Sequence, residues 1–264
     1  MNNYSPELNE FLNLLDKKSR MLAMLAPSFI IDFNYPQIIS SLKKLGFSYV
    51  LEVARGAQET NRQLKDLLQK YPNRRFITSP CPTTVRLIKS KYPHLLDNLA
   101  KIDSPMSATA KLASVKYPGY RPVFIGPCIA KKLESKEDWP ELKILVLTYK
   151  ELKEAFKIRN VAEAEKEELV FFDEAGKSTR MYPVSGGLAH SAGLNDILTD
   201  EEYDVISGRE LVEKTLGEFP QSKLRLLDIL YCDGGCISGP GIVSGLDINQ
   251  KRQKVISYWA KGIA

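Results

Sequence analysis

Along most of the chain, short apolar runs alternate with amphipathic stretches, a rhythm that predicts strands followed by helices. Residues 7–18 carry Leu8, Phe11, Leu12 and Leu15 at helical spacing, an amphipathic opening helix expected to pack on the outside. The apolar run over 21–33 is broken by Ala26, Pro27 and Ser28, so a strand there should end in a turn. A helix over 36–45, a strand over 48–53 and a helix over 59–71 follow. A buried strand over 75–79 then delivers Cys81, and Pro82 sits in the first turn of the next helix. Ser104 reads as the N-cap of a further helix through Ala108, Leu112 and Val115. The theme recurs in a strand over 122–125, a turn at Gly126-Pro127, a helix over 129–136, a strand over 142–148 and a helix over 149–156. The polar interval 159–179 reads as a lid or insertion with a Glu-rich helix around 162–169. Val184 to Gly187 form a glycine turn before another helix, and the last apolar strand covers 226–231. Such alternation implies an α/β fold with parallel-rich sheets flanked by helices, whose functional residues gather at the strand carboxyl ends.

Composition narrows the class. The chain has 264 residues, 44% of them hydrophobic and 26% charged, which describes a globular protein with room for one large α/β domain or two lobes. The first residues form neither a basic leader nor an apolar core, and no run approaches the roughly 20 apolar residues that span a bilayer, so a cytoplasmic location without membrane contact is expected. The net charge of +5 is spread through helices and gives no footprint for nucleic acid.

The candidate chemistry lies in the cysteines. Residues 230–241, Leu-Tyr-Cys-Asp-Gly-Gly-Cys-Ile-Ser-Gly-Pro-Gly, set Cys232 and Cys236 on a backbone of turn formers able to pass close to a bulky inorganic object. The chain has 4 cysteines, and Cys81 and Cys128 each follow a proline after an apolar run. The helix N-terminus at Cys81 is expected to favour its thiolate, and Cys128 again falls at the start of a helix. Zinc, a [4Fe-4S] cluster or no metal all remain open on spacing, although separations of 47, 104 and 4 residues suit a large central cofactor better than a zinc knuckle. Of the 2 histidines, His94 reads as surface, and His190 as structural although it falls close behind the glycine turn.

Three segments carry a resemblance: Thr78-Ser79-Pro80-Cys81-Pro82, Pro127-Cys128-Ile129-Ala130-Lys131-Lys132-Leu133-Glu134, and Cys232-Asp233-Gly234-Gly235-Cys236-Ile237-Ser238-Gly239. In order and surroundings they resemble the signatures of the catalytic domain of iron-only, or [FeFe], hydrogenases, and the likeness runs from about Met21 onward. The resemblance implies two lobes with the cofactor between them: an N-terminal helix over 1–20, lobe one over about 21–120 and lobe two over about 121–264. It also implies an H-cluster, a [4Fe-4S] cubane joined through a cysteine to a two-iron unit with CO, cyanide and azadithiolate. Carried over residue by residue, Cys81, Cys128 and Cys232 would ligate the cubane and Cys236 would bridge to the two-iron unit. Lys131 would hydrogen-bond a cyanide, Ser28 and Pro27 would meet the other, Ser185 and Gly186 would line the cofactor, and Glu134 completes the Cys-x-x-Lys-x-x-Glu pattern.

The departures bear on activity. Where the family has a proton-relay cysteine before the first cubane ligand, this chain has Pro80, which carries no exchangeable proton. The relay carboxylates of the family's helix read Gln63, Leu64 and Leu67 here, Gly126 replaces a common methionine and Met106 a common glutamine. The expectation is slow interconversion of H2 with protons and electrons. The alternative is a hydrogen-sensing or electron-transfer protein with little turnover. A cluster-assembly relative is disfavoured because the motifs around Lys131 and Cys236 are intact. Without ferredoxin-like cysteine runs, electrons would come from a docked ferredoxin-like carrier, and the two-iron unit from H-cluster maturation proteins.

Overall fold

Period-two alternation in β1 (Met21–Leu25) sends Met21, Ala23 and Leu25 into one apolar core and Leu22 and Met24 into another. Every position of that strand is buried, so the sheet around it must be covered on both faces. In the computed structural model, which describes residues 4–165 and 169–263, β1 lies between β2 (Tyr49–Glu52) and a strand here named β4 (Arg121–Gly126), all parallel. The next strand, β5 (Leu145–Thr148), extends the same sheet beyond β4. A second parallel sheet holds β3 (Phe76–Ile77), β6 (Tyr203–Ser207) and β7 (Leu226–Leu230), with β7 in the middle. It too is two-sided: Phe76 and Leu226 face one core, and Ile77, Leu227 and Ile229 face the other.

The sheets draw their strands alternately from both halves of the chain. A division near residue 120 therefore matches neither of them, because β3 joins β7 in the second sheet while β4 and β5 extend the sheet begun by β1 and β2. Hydrogen-bonded register, rather than chain order, defines the two lobes.

Helices cover the sheets: α1 (Pro6–Asp16), α2 (Gln37–Leu45), α3 (Ala54–Lys70), α4 (Pro82–Lys91), α5 (Pro105–Lys116), α6 (Lys131–Leu133), α7 (Tyr149–Ile158), α8 (Gly187–Ala192), α9 (Arg209–Glu218) and α10 (Ile248–Ile263). Helix α1 buries Leu8 and Phe11, with Phe11 stacked on Phe47. Its Glu7 accepts from Lys132 at 2.9 Å and from Lys136 at 2.5 Å. Burial pushes the Glu7 carboxyl up, but the two ammonium groups outweigh it and hold the group down at about 2. Ser104 caps α5 by accepting from the Ser107 amide at 3.3 Å, as its sequence position predicts.

Two expected helices differ. Residues 161–165 and 169–172 have no helical structure, and 166–168 lie outside the described residues. The following residues run along β2 instead, where the Asp173 amide donates to Val50 O and the Glu52 amide to Glu174 O, so this interval covers a sheet edge that would otherwise be unpaired. The helix expected over 129–136 is a single α-turn, α6, followed by a wide π-turn over Glu134–Asp138. That widening lets Glu134 point inward to Lys131 while Glu137 and Asp138 meet Arg86.

Helices α3 and α5 meet at Gly56, where a Cβ would stand 2.5 Å from the Pro105 carbonyl oxygen and 2.6 Å from the Thr109 nitrogen. Both obstacles are backbone and cannot rotate away. Gly56→Ala is expected to destabilise the protein by about 1–3 kcal/mol through overpacking, read as a lower urea midpoint with unchanged slope. An unchanged midpoint would show that the two helices can move apart at no cost.

Candidate metal centre

Each cysteine follows the carboxyl end of a strand, Cys128 in the first sheet and Cys81, Cys232 and Cys236 in the second, and the strand ends of both sheets border one cavity. Cys81 follows β3 as the N-cap of α4, with Pro82 at the first helical position. Cys128 follows β4, and Cys232 and Cys236 follow β7. The last loop is pressed onto the second. The Gly241 amide donates to the Pro127 carbonyl at 2.7 Å, and a Cβ at Gly239 would lie 2.6 Å from that same oxygen. Only a bare backbone can approach the Pro127-Cys128 turn so closely. Between the two thiols, Gly234 and Gly235 have φ of 71° and 105°, values that suit glycine.

The thiols are not in disulfides. Burial pushes the Cys128 thiol up and the neighbouring Cys81 adds to it, while Lys131 and the Ala130 and Lys131 amides pull the other way. Burial, then Cys81 and Cys128, push Cys232 to about 12. Cys236 is raised well above its usual range by burial and by the other three sulfurs, with only Lys131 opposing. Cys128, Cys232 and Cys236 therefore sit in a low-dielectric space that favours their thiol forms unless a cation displaces the protons. Among the described residues, no three His, Cys, Asp or Glu side chains converge on a point that could hold a single metal ion. A tetrahedral zinc needs such a point, whereas a cluster of several irons takes its thiolates from around a bulkier body. The donor set fits an iron-sulfur cluster.

Beside Cys128 and Cys236 lies a cavity of about 90 Å³, walled on one side by the ends of the first sheet and on the other by the ends of the second. Pro27, Ser28, Lys131, Pro80 and Met106 line it. The Ser28 hydroxyl lies 2.7 Å from Tyr149 Oη, which itself donates to Ala26 O at 2.9 Å. Lys131 is 8% exposed and Glu134 5%, so the cation and its counter-ion are both withdrawn from water. Lys131 Nζ donates to Glu134 Oε2 at 2.5 Å and to the Pro80 carbonyl at 3.2 Å, and the Ser104 hydroxyl donates to Glu134 Oε1 at 2.5 Å. Glu134 thus sits behind Lys131, tying it to the start of α5, and is outside the cavity wall.

Ser185 and Gly186 also fall outside the wall. The Ser185 amide donates to Gly234 O, and Val184 pairs with Gly235, so this turn holds the cysteine loop in shape instead of facing the cavity. His94 is exposed against Tyr92, and His190 is exposed with its ring 5.3 Å from that of Trp259, away from the cavity lining. Phe124, Tyr182 and Asp228 are among the lining residues not singled out from sequence. Phe124 folds over Gly126, where a Cβ would meet its ring at 2.6 Å, so the glycine's small size makes room for an aromatic wall. An acidic residue at Asp228, inside the otherwise apolar run Leu226-Leu227-Asp228-Ile229-Leu230, was the available signal for that side chain.

Comparison with known proteins agrees with this geometry. Residues 19–240 match the family described as the iron only hydrogenase large subunit, C-terminal domain. A variant of the [FeFe]-hydrogenase HydA1 from Chlamydomonas reinhardtii is 19% identical, with a TM-score of 0.71 over 95% of this chain and 88% of that one. An apo variant of the same enzyme gives a TM-score of 0.72 at 18% identity, over the same shares of the two chains. At these identities the likeness establishes the fold. The cytosolic Fe-S cluster assembly factor NAR1 of Encephalitozoon cuniculi (strain GB-M1) is 27% identical over 223 residues, covering 71% of this chain. The chain spans 60% of that relative's length.

Proposed function

This chain belongs to the family of the iron-only hydrogenase large subunit, C-terminal domain, and from that premise we propose that it binds an H-cluster and interconverts H2 with protons and electrons slowly. Cys81, Cys128, Cys232 and Cys236 would hold a [4Fe-4S] cubane, with Cys236 bridging to a two-iron unit in the adjoining cavity. The observation that carries this reading is that the cysteines, delivered from strand ends of both sheets, lie close enough to raise one another's thiols, with Cys128, Cys236 and Lys131 lining one cavity.

When bound, the two-iron unit with its CO, cyanide and azadithiolate would supply the hydrogen-binding redox centre. The protein's own contribution is positional and electrostatic. The Lys131 ammonium, fixed by Glu134 and the Pro80 carbonyl, offers its remaining donor to an anionic ligand in the cavity. The Ser28 hydroxyl is a second polar group on the wall. Apolar lining from Phe124, Met106 and Leu230 keeps water scarce, which strengthens each of these contacts. Pro80 can neither give nor take a proton, and this is the reason for expecting slow turnover. A ferredoxin-like carrier would deliver electrons and H-cluster maturation proteins would deliver the two-iron unit. Among the described residues no helix is long and apolar enough to cross a membrane, and we place the protein in the cytoplasm by likeness to NAR1, a cytosolic assembly factor.

Iron and sulfide analysis with electron paramagnetic resonance should find a cubane that Cys128→Ala disrupts. Infrared spectra after maturation should then show CO and cyanide bands. A cubane without those bands would move the reading toward cluster assembly, which the NAR1 match favours, or toward sensing and electron transfer. No cubane at all would overturn both.

A further inference from the structure

Asp228 is the one carboxylate among the described residues that line the cavity. It lies in the middle of β7, 3% exposed, on the same side of the strand as Leu226. Its partners are few and distant. The Thr78 hydroxyl donates to Oδ1 at 3.3 Å and the Ala189 amide to Oδ2 at 3.4 Å, while Thr78 is itself shared with the Ile229 amide at 3.1 Å. Hydrogen bonds of that length solvate an anion poorly. No lysine or arginine forms an ion pair with it among the described residues. Its surroundings offer little charge: the loop after β3 presents Thr78, α8 its Ala189 amide, and β6 the register partner Val205. The other titratable groups on the cavity wall are Tyr182, Lys131, Cys128 and Cys236. Burial pushes the carboxyl up to about 6, against the pull of the Ala189, Thr78 and Ile229 contacts.

A carboxylate that only capped α8 could be replaced by asparagine without consequence, since the Ala189 amide needs nothing more than an acceptor. An ionisable group walled into an apolar cavity beside Pro80 has a further capacity. Both Thr78, its hydrogen-bond partner, and Pro80 belong to the loop that follows β3, and both line the same space. We propose that Asp228 is the proton-holding side chain of the cavity, taking a proton from water and releasing it to a basic group bound beside Cys236. In each cycle the carboxylate gains one proton from solvent to become the acid, and returns to the carboxylate as the bound base is protonated. This supplies the function for which Pro80 has no group, and it rests on the cofactor reading above.

The first test needs no two-iron unit. Infrared titration of the purified protein should show a carboxylic-acid C=O band that grows as pH falls through about 6, shifts in D2O, and is missing in Asp228→Asn. A band that survives in Asp228→Asn, or one that appears only at ordinary carboxylate pH, overturns the assignment. In matured protein, Asp228→Asn should lower hydrogen turnover about 10²-fold and remove the limb near pH 6 from the rate profile, with iron content and CO and cyanide bands unchanged. Asp228→Glu should restore both. Unchanged turnover in Asp228→Asn overturns proton delivery. Should the CO and cyanide bands never form, the hydrogen reading fails by itself, and the titration alone decides whether Asp228 holds the cavity's proton.

Discussion

Pro80→Cys, in protein carrying the two-iron unit, is expected to raise hydrogen turnover by about 10²-fold or more, the usual worth of a placed acid or base. Pro80 forms part of the cavity wall, so a thiol there would bring an exchangeable proton into contact with the space that the pyrrolidine ring now closes. The substitution leaves the local framework standing. Lys131 bonds the main-chain carbonyl of residue 80 at 3.2 Å, and that carbonyl survives any change of side chain. Loss of the proline ring costs about 1 kcal/mol at most through greater freedom of the unfolded chain. Hydrogen evolution normalised to the CO band intensity gives the comparison, and an unaltered rate would mean that the missing relay does not limit this protein. The same substitution in an Asp228→Asn background should give a larger fold-gain, because the thiol would then replace the proton carrier that Asp228 supplies.

Glu134→Ala should destabilise the fold by about 3–5 kcal/mol, the usual cost of stripping one partner from a buried ion pair. Lys131 would be left as a buried cation with only the Pro80 carbonyl, and the Ser104 hydroxyl would lose its acceptor at the start of α5. Removing both charges together, as in Lys131→Met with Glu134→Leu, should cost less than the two single losses added, because no ion is then stranded. Urea denaturation of the three variants checks this, and a loss below about 1 kcal/mol for Glu134→Ala would show that water reaches Lys131 freely. The result also bears on the cysteine loop, since Lys131 joins the β4 turn to the residue before Cys81.

The strand and helix rhythm was legible because local periodicity and capping agree with the tertiary packing. Met21–Leu25, the Ser104 cap and the proline-led start of α4 all stand where the pattern put them. Residues 159–179 misled because glutamates favour helix only where nothing better is offered, and the open edge of β2 offers backbone partners to Asp173 and Glu174. The turn after Cys128 misled for a similar reason, with Glu134 recruited by a lysine and a distant serine.

By itself the chain determined its family, its parallel α/β class and the four sulfurs with their glycine hinges, because each of these is written in local patterns of spacing and residue type. Only the folded structure decided that strands from both halves interleave, that Ser185 and Gly186 brace a loop while Glu134 stands behind Lys131, and that Asp228 meets Pro80 across one cavity. Apart from the Lys131–Glu134 pair, these arrangements join residues far apart in sequence, and they are set by sheet register and burial, which no local pattern records.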